Sequence, residues 1–106
     1  MSNSHVPRRS VFFISDGTGI TAETLGYALL TQFEGLPTRQ TRVPFIDSVD
    51  KAHASVARIN QAHLDDGVRP IVFNTLVDAQ TSSVIHQANA LVLNNTKSMI
   101  KSALDI

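Results

Sequence analysis

The chain has 106 residues, with nine Lys or Arg balancing nine Asp or Glu, four His and no Cys. Without cysteine there are no disulfides, no thiolate catalysis and no cysteine-held metal, and balanced charge argues against duplex nucleic acid, whose phosphates demand clustered cations. No apolar run approaches the ~20 residues of a membrane-spanning helix. The polar Met1–Arg9 segment lacks the apolar core of a secretory signal, so the expected location is the cytoplasm, with neither membrane nor nucleic acid as a partner.

Val11 to Ile14 is an unbroken apolar run, as in a strand covered on both faces. A polar turn follows. Ile20, Leu25, Ala28, Leu29 and Phe33 then keep a rough helical spacing, with Glu23 in the first turn and Gly35 and Pro37 as the stop. Thr38 to Phe45 reads as a second strand, with Val43, Phe45 and Ile46 as its apolar end. Asp47 or Ser48 is placed to cap a second helix, whose inward stripe is Val49, Ala52, Val56, Ile59 and Ala62 or His63. Asp65-Asp66-Gly67 ends it. Pro70 to Leu76 is a third strand, Thr81 to Asn89 a third helix with Val84, Ile85 and Ala88 inward, and Ala90 to Leu93 a short fourth strand. Met99, Ile100, Ala103 and Leu104 are spaced for one face of a last short helix. Such alternation predicts an α/β fold: a three-layer, mostly parallel sheet flanked by helices, a Rossmann-like half.

The turn after the first strand carries the chemistry. Ser15-Asp16-Gly17-Thr18-Gly19-Ile20-Thr21 joins a strand end to a helix start, where open α/β sheets place ligands and where backbone amides attract anions. Glycines allow successive amides to converge on an anion. Asp16, Gly17, Thr18, Gly19 and Thr21 are therefore the candidate phosphate- or substrate-binding residues. Asp16 would repel a bare phosphate, so its roles are holding a metal-bound phosphate, accepting a proton from a hydroxyl, or capping the helix. The bland alternative is ordinary turn and cap chemistry. Gly17-x-Gly19-x-x-Ala22 formally fits a relaxed dinucleotide fingerprint, but the second strand ends in Val43-Pro44-Phe45, without the expected acid. A Walker A loop occurs nowhere in these residues.

Val11 to Gly26 resembles the opening motif of the phosphoenolpyruvate synthase regulatory proteins. Leu30-Thr31-Gln32-Phe33, Val43-Pro44-Phe45-Ile46-Asp47 and Gly67-Val68-Arg69-Pro70-Ile71-Val72-Phe73 match in the same order, so the resemblance covers roughly Arg9 to Leu91. It implies a bifunctional enzyme. One activity uses ADP to phosphorylate a threonine of phosphoenolpyruvate synthase and inactivates it. The other removes that phosphate with inorganic phosphate as acceptor, releasing pyrophosphate; plant relatives act likewise on pyruvate, phosphate dikinase. ADP and inorganic phosphate are then substrates, with no tightly bound cofactor, and the synthase is the partner. Family members are longer and carry their nucleotide P-loop in a second half with no counterpart here, so no nucleotide-site residue is carried over. The chain is accordingly expected to be an amino-terminal fragment: residues 1–9 disordered, 10–93 an α/β domain, 94–106 a divergent tail. Alone it is expected to have little or no kinase activity.

The remaining polar residues offer less. His5, His53, His63 and His86 are scattered, and His53 and His63 are not at metal-binding helical spacing, so no metal site is expected. Ser15 has no sequence-local base, and catalytic residues stay unassigned. Lys51 and Arg58 read as solvated charges, and Arg69 as a candidate support for a phosphate. Asn74 and Thr75, ending the third strand, are candidate second contributors to the cleft. Two other readings stand beside the kinase: a docking module without chemistry, and a dinucleotide-binding oxidoreductase domain. An exposed sheet edge would also permit a homodimer.

Overall fold

The computed structural model describes residues 9–20, 23–24, 26–27 and 38–94. Four strands, β1 (Arg9–Ile14), β2 (Thr38–Val43), β3 (Ile71–Asn74) and β4 (Leu91–Asn94), form one sheet in the order β2-β1-β3-β4. Every pairing is parallel. Two helices follow β2 and β3: α1 (Val49–Asp66) and α2 (Ala79–Ile85).

Alternation along β1 sorts the core into two layers. Phe12 and Ile14 face one side, where Val43, Ile46, Ala52, Ile59, Val72, Val84 and Ile85 complete a cluster shared with α1 and α2. Val11 and Phe13 face the other side with Phe73, and the Phe13 and Phe73 rings stack at 5.4 Å. Gly26, in the helical residues that start at Ile20, lies against the Phe13 ring. Helices therefore cover both faces, as the strand–helix alternation predicts.

Local chemistry sets the element ends. Ser48 accepts from the Lys51 amide to open α1, and Gly67, in the left-handed region at φ 73°, closes it with its N–H on the His63 carbonyl. β2 stops at Val43, two residues before the predicted end. Pro44 has no N–H for the ladder, and Phe45 turns away at φ 60°. β3 stops at Asn74, short of Leu76, because the Asn74 side chain accepts from the Leu76 amide at 3.1 Å and turns the chain. α2 begins at Ala79, ahead of the predicted Thr81, since Asp78 caps it through the Thr81 amide at 2.9 Å. It ends at Ile85, and Ala88 stays buried in the tighter turns beyond. Ile20, the first of the helically spaced apolar residues after the turn, is 55% exposed; Leu25, Ala28, Leu29, Phe33 and the predicted tail helix lie outside the described residues.

The strand order makes β1 and β3 the place where the chain reverses direction across the sheet. After β1 it moves to β2, and after β2 it returns across β1 to β3. The loops after β1 and β3 thus flank a topological switch point, the ligand-binding position of open α/β sheets.

Candidate functional site

The loop leaving β1 is anchored at its base and open at its tip. The Ser15 N–H donates to the Val43 carbonyl at 3.1 Å, and the Ser15 carbonyl accepts from Ile46 at 2.9 Å. The Gly17 N–H donates to Ser15 Oγ at 3.1 Å, and its carbonyl accepts from Phe45 at 2.8 Å. Thr18 Oγ1 accepts a long 3.4 Å bond from Ile20. The Gly19 carbonyl takes the Glu23 N–H at 2.9 Å and begins the helix. Among the described residues, the amides of Asp16, Thr18 and Gly19 have no protein acceptor.

Only one of the two glycines is needed for its backbone. Gly19 has φ 83°, and a Cβ there would lie 2.7 Å from Arg42 Cγ. Gly17 is not left-handed, and a Cβ there would meet nothing nearer than Ser15 Oγ at 3.9 Å. Asp16 is exposed and makes no hydrogen bond or ion pair among the described residues. The cap role expected for it is therefore corrected, because the helix starts three residues later on the Gly19 carbonyl. Thr21 lies outside the described residues.

Arg42 is the residue that reading the chain in order missed. Parallel pairing sets it opposite Phe13, its stem covers Gly19, and its guanidinium reaches Glu23 at 4.0 Å. It brings a cation to the loop. Nothing local marks it, since its proximity depends on the β1–β2 register.

Asn74 and Thr75 reach the same sheet edge but brace it. Asn74 Nδ2 donates to Ser82 Oγ at 3.0 Å and Asn94 Oδ1 at 2.8 Å, and its Oδ1 accepts from Leu76. Thr75 donates to the Ile14 carbonyl through its amide and its hydroxyl, at 3.1 and 2.9 Å. Arg69 cannot support the same anion. It precedes β3 at the opposite end of the sheet, where its carbonyl accepts from Arg9 Nε at 2.8 Å. His53 and His86 are exposed, and half-buried His63 has an Nδ1 without a partner. A cavity of about 510 Å³ opens between α2 and β4 on the candidate edge, with Val77, Ser83, His86 and Asn94 in its wall.

Lys51 is paired rather than free. Its Nζ lies 2.9 Å from Asp47 Oδ1, one turn back along the chain. This hydrogen bond, and the Lys51 charge behind it, hold the Asp47 carboxyl below its ordinary value of 3.8. A lowered folded-state value contributes stability above the unfolded value and loses it as pH falls through the folded one. An NMR titration should place the Asp47 midpoint below that of Asp47 in the Lys51→Ala variant, with the contribution of this pair to stability fading as pH falls below about 4.

No helix among the described residues is long and apolar enough to cross a membrane. The profile of the family described as Kinase/pyrophosphorylase matches residues 11–105. A protein of Ralstonia nicotianae named as a phosphoenolpyruvate synthase regulatory protein is 52% identical over 93 residues, covering 88% of this chain and 33% of its own. A protein of the same name from an Azoarcus species is 57% identical over 91 residues, 86% of this chain and 33% of its own. One from a Janthinobacterium species is 46% identical over 101 residues, 95% of this chain and 36% of its own. The chain spans about a third of the length of these curated relatives. With nearly its whole length matched by the family profile, the chain belongs to the kinase/pyrophosphorylase family.

Proposed function

We propose that this chain contributes the first α/β part of an enzyme that regulates phosphoenolpyruvate synthase by reversible phosphorylation. In one direction ADP is the phosphoryl donor to a threonine of the synthase. In the other, inorganic phosphate accepts that phosphoryl group and pyrophosphate leaves. The name shared by the relatives supports the target, and the family supports transferase chemistry. The observation that carries the site is the Ser15–Gly19 loop at the switch point, with three amides free of protein acceptors and Arg42 beside them.

In this reading the loop holds the phosphoryl-bearing group. Asp16, exposed and unpaired, accepts the proton of the hydroxyl or faces a phosphate-bound cation, and Thr21 adds a hydroxyl. Phosphoryl transfer rests on cradling donor phosphates and aligning the acceptor. These 106 residues contain no Gly-x-x-x-x-Gly-Lys-Ser/Thr loop, so the proposal assigns them phosphate and target binding without turnover of their own.

Titrating inorganic phosphate into the ¹⁵N-labelled chain should shift the amides of Asp16, Thr18 and Gly19. Gly19→Ala should weaken that binding about tenfold or more, because a Cβ at φ 83° redirects the amides. Incubation with ADP and the synthase should leave the threonine unmodified. Unshifted loop amides would remove the phosphate site, and substantial phosphorylation would remove the division of labour.

A further inference from the structure

Phe45 is the only described residue other than glycine with a left-handed backbone, at φ 60°. That region is disfavoured for a bulky L residue. Burial of the ring would offset the strain, yet Phe45 is 55% exposed. Its backbone is nevertheless pinned. The Phe45 N–H donates to the Gly17 carbonyl at 2.8 Å, its carbonyl accepts from Asp47 at 3.0 Å, and the next amide, of Ile46, reaches the Ser15 carbonyl at 2.9 Å. A strained residue presented to solvent and tied by hydrogen bonds to a candidate binding loop points to a contact made outside the chain.

We propose that Phe45 is a recognition residue, whose ring packs against the polypeptide segment that carries the phosphoryl-accepting hydroxyl. The inference rests on the function proposed above and names how the target is held there. Ile20, at the far end of the same loop, is also 55% exposed. Exposed apolar side chains thus stand beside the loop, Phe45 tied to it at Gly17 and Ile20 just after Gly19, a pairing that fits a hydroxyl- or phosphate-bearing side chain flanked by apolar neighbours. Aromatic residues are enriched at the centres of protein interfaces. A nucleotide fits less well. Such folds place a carboxylate for the ribose at the end of the second strand, where this chain has Val43-Pro44-Phe45, and the nearby Asp47 is held by Lys51 at 2.9 Å.

Phe45→Ala and Phe45→Gly separate recognition from packing, since both remove the ring but only glycine relieves the backbone. Both should weaken synthase binding, measured by calorimetry, about tenfold or more, an effect of one anchoring side chain. Affinity for inorganic phosphate should stay within about twofold, because the tie to the loop runs through the residue-45 backbone N–H, which both variants keep. Phe45→Gly should unfold at a higher temperature than Phe45→Ala and no lower than the parent. Synthase affinity unchanged in both variants would overturn the proposal. So would a large fall in unfolding temperature in both, which would make the ring a packing residue. A parent chain that binds phosphate but not the synthase would overturn the target reading and this inference together; unaltered variants beside a binding parent would overturn the inference alone.

Discussion

Gly26→Ala is expected to destabilise the fold by about 3 kcal/mol, the upper part of the range for overpacking. Helix propensity by itself points the other way, favouring alanine by about 1 kcal/mol. Packing decides. A Cβ on Gly26 would fall on the Phe13 ring, well inside contact distance. Phe13 is fully buried on the central strand and stacked on Phe73 at 5.4 Å, so it has nowhere to move. Thermal unfolding should show the midpoint lowered by roughly 10 °C or more for a domain of this size. Adding Phe13→Leu should recover part of the loss, because the two sites share one volume. An unchanged or raised midpoint in Gly26→Ala would mean that the helix does not lie against the sheet at this point.

Asn74→Ala should cost about 2–4 kcal/mol, the range expected when a buried hydrogen-bonding group is lost and its partners are left unpaired. Asn74 is 2% exposed and ties four parts of the chain: its own strand, the Leu76 turn, Ser82 of α2 and Asn94 of β4. Truncation orphans the Leu76 N–H and removes the donor to Ser82 and Asn94. Urea unfolding should report the loss, and hydrogen exchange should show the Leu76 amide unprotected. The loss reaches the candidate site, because this residue sets where the chain leaves β3 and so shapes the β3 side of the switch point. Retention of full stability would show the side-chain network to be incidental.

Asn74, Arg69 and Arg42 mark where reading the chain in order stops being informative. Asn74 ends an apolar run at the sheet edge that carries the candidate loop, and a polar residue there reads naturally as a contributor to a cleft. Its bonding partners come from eight and twenty residues away, and they convert it into a brace. Arg69 also reads as a phosphate support until the sheet is assembled. Its place before β3 puts it at the amino end of the strands, across the sheet from the loop. Arg42 fails in the opposite sense: nothing around it in the chain marks it, and it becomes a neighbour of Gly19 only through the β1–β2 register.

Short-range physics made the elements legible. Val11–Ile14 reads as a buried strand because unbroken apolar runs have no solvent face. α1 is visible from Ser48 to Gly67 because its cap, its stripe and its left-handed stop are all local. The glycine-bearing turn between a strand and a helix is a local signal as well, and so the candidate loop could be found from the order of residue types. Which amides remain open, which glycine is indispensable and which charge approaches were decided by tertiary structure. Each depends on what β2 and β3 bring alongside β1, and hydrogen bonds between residues far apart in the chain leave no periodicity in its sequence.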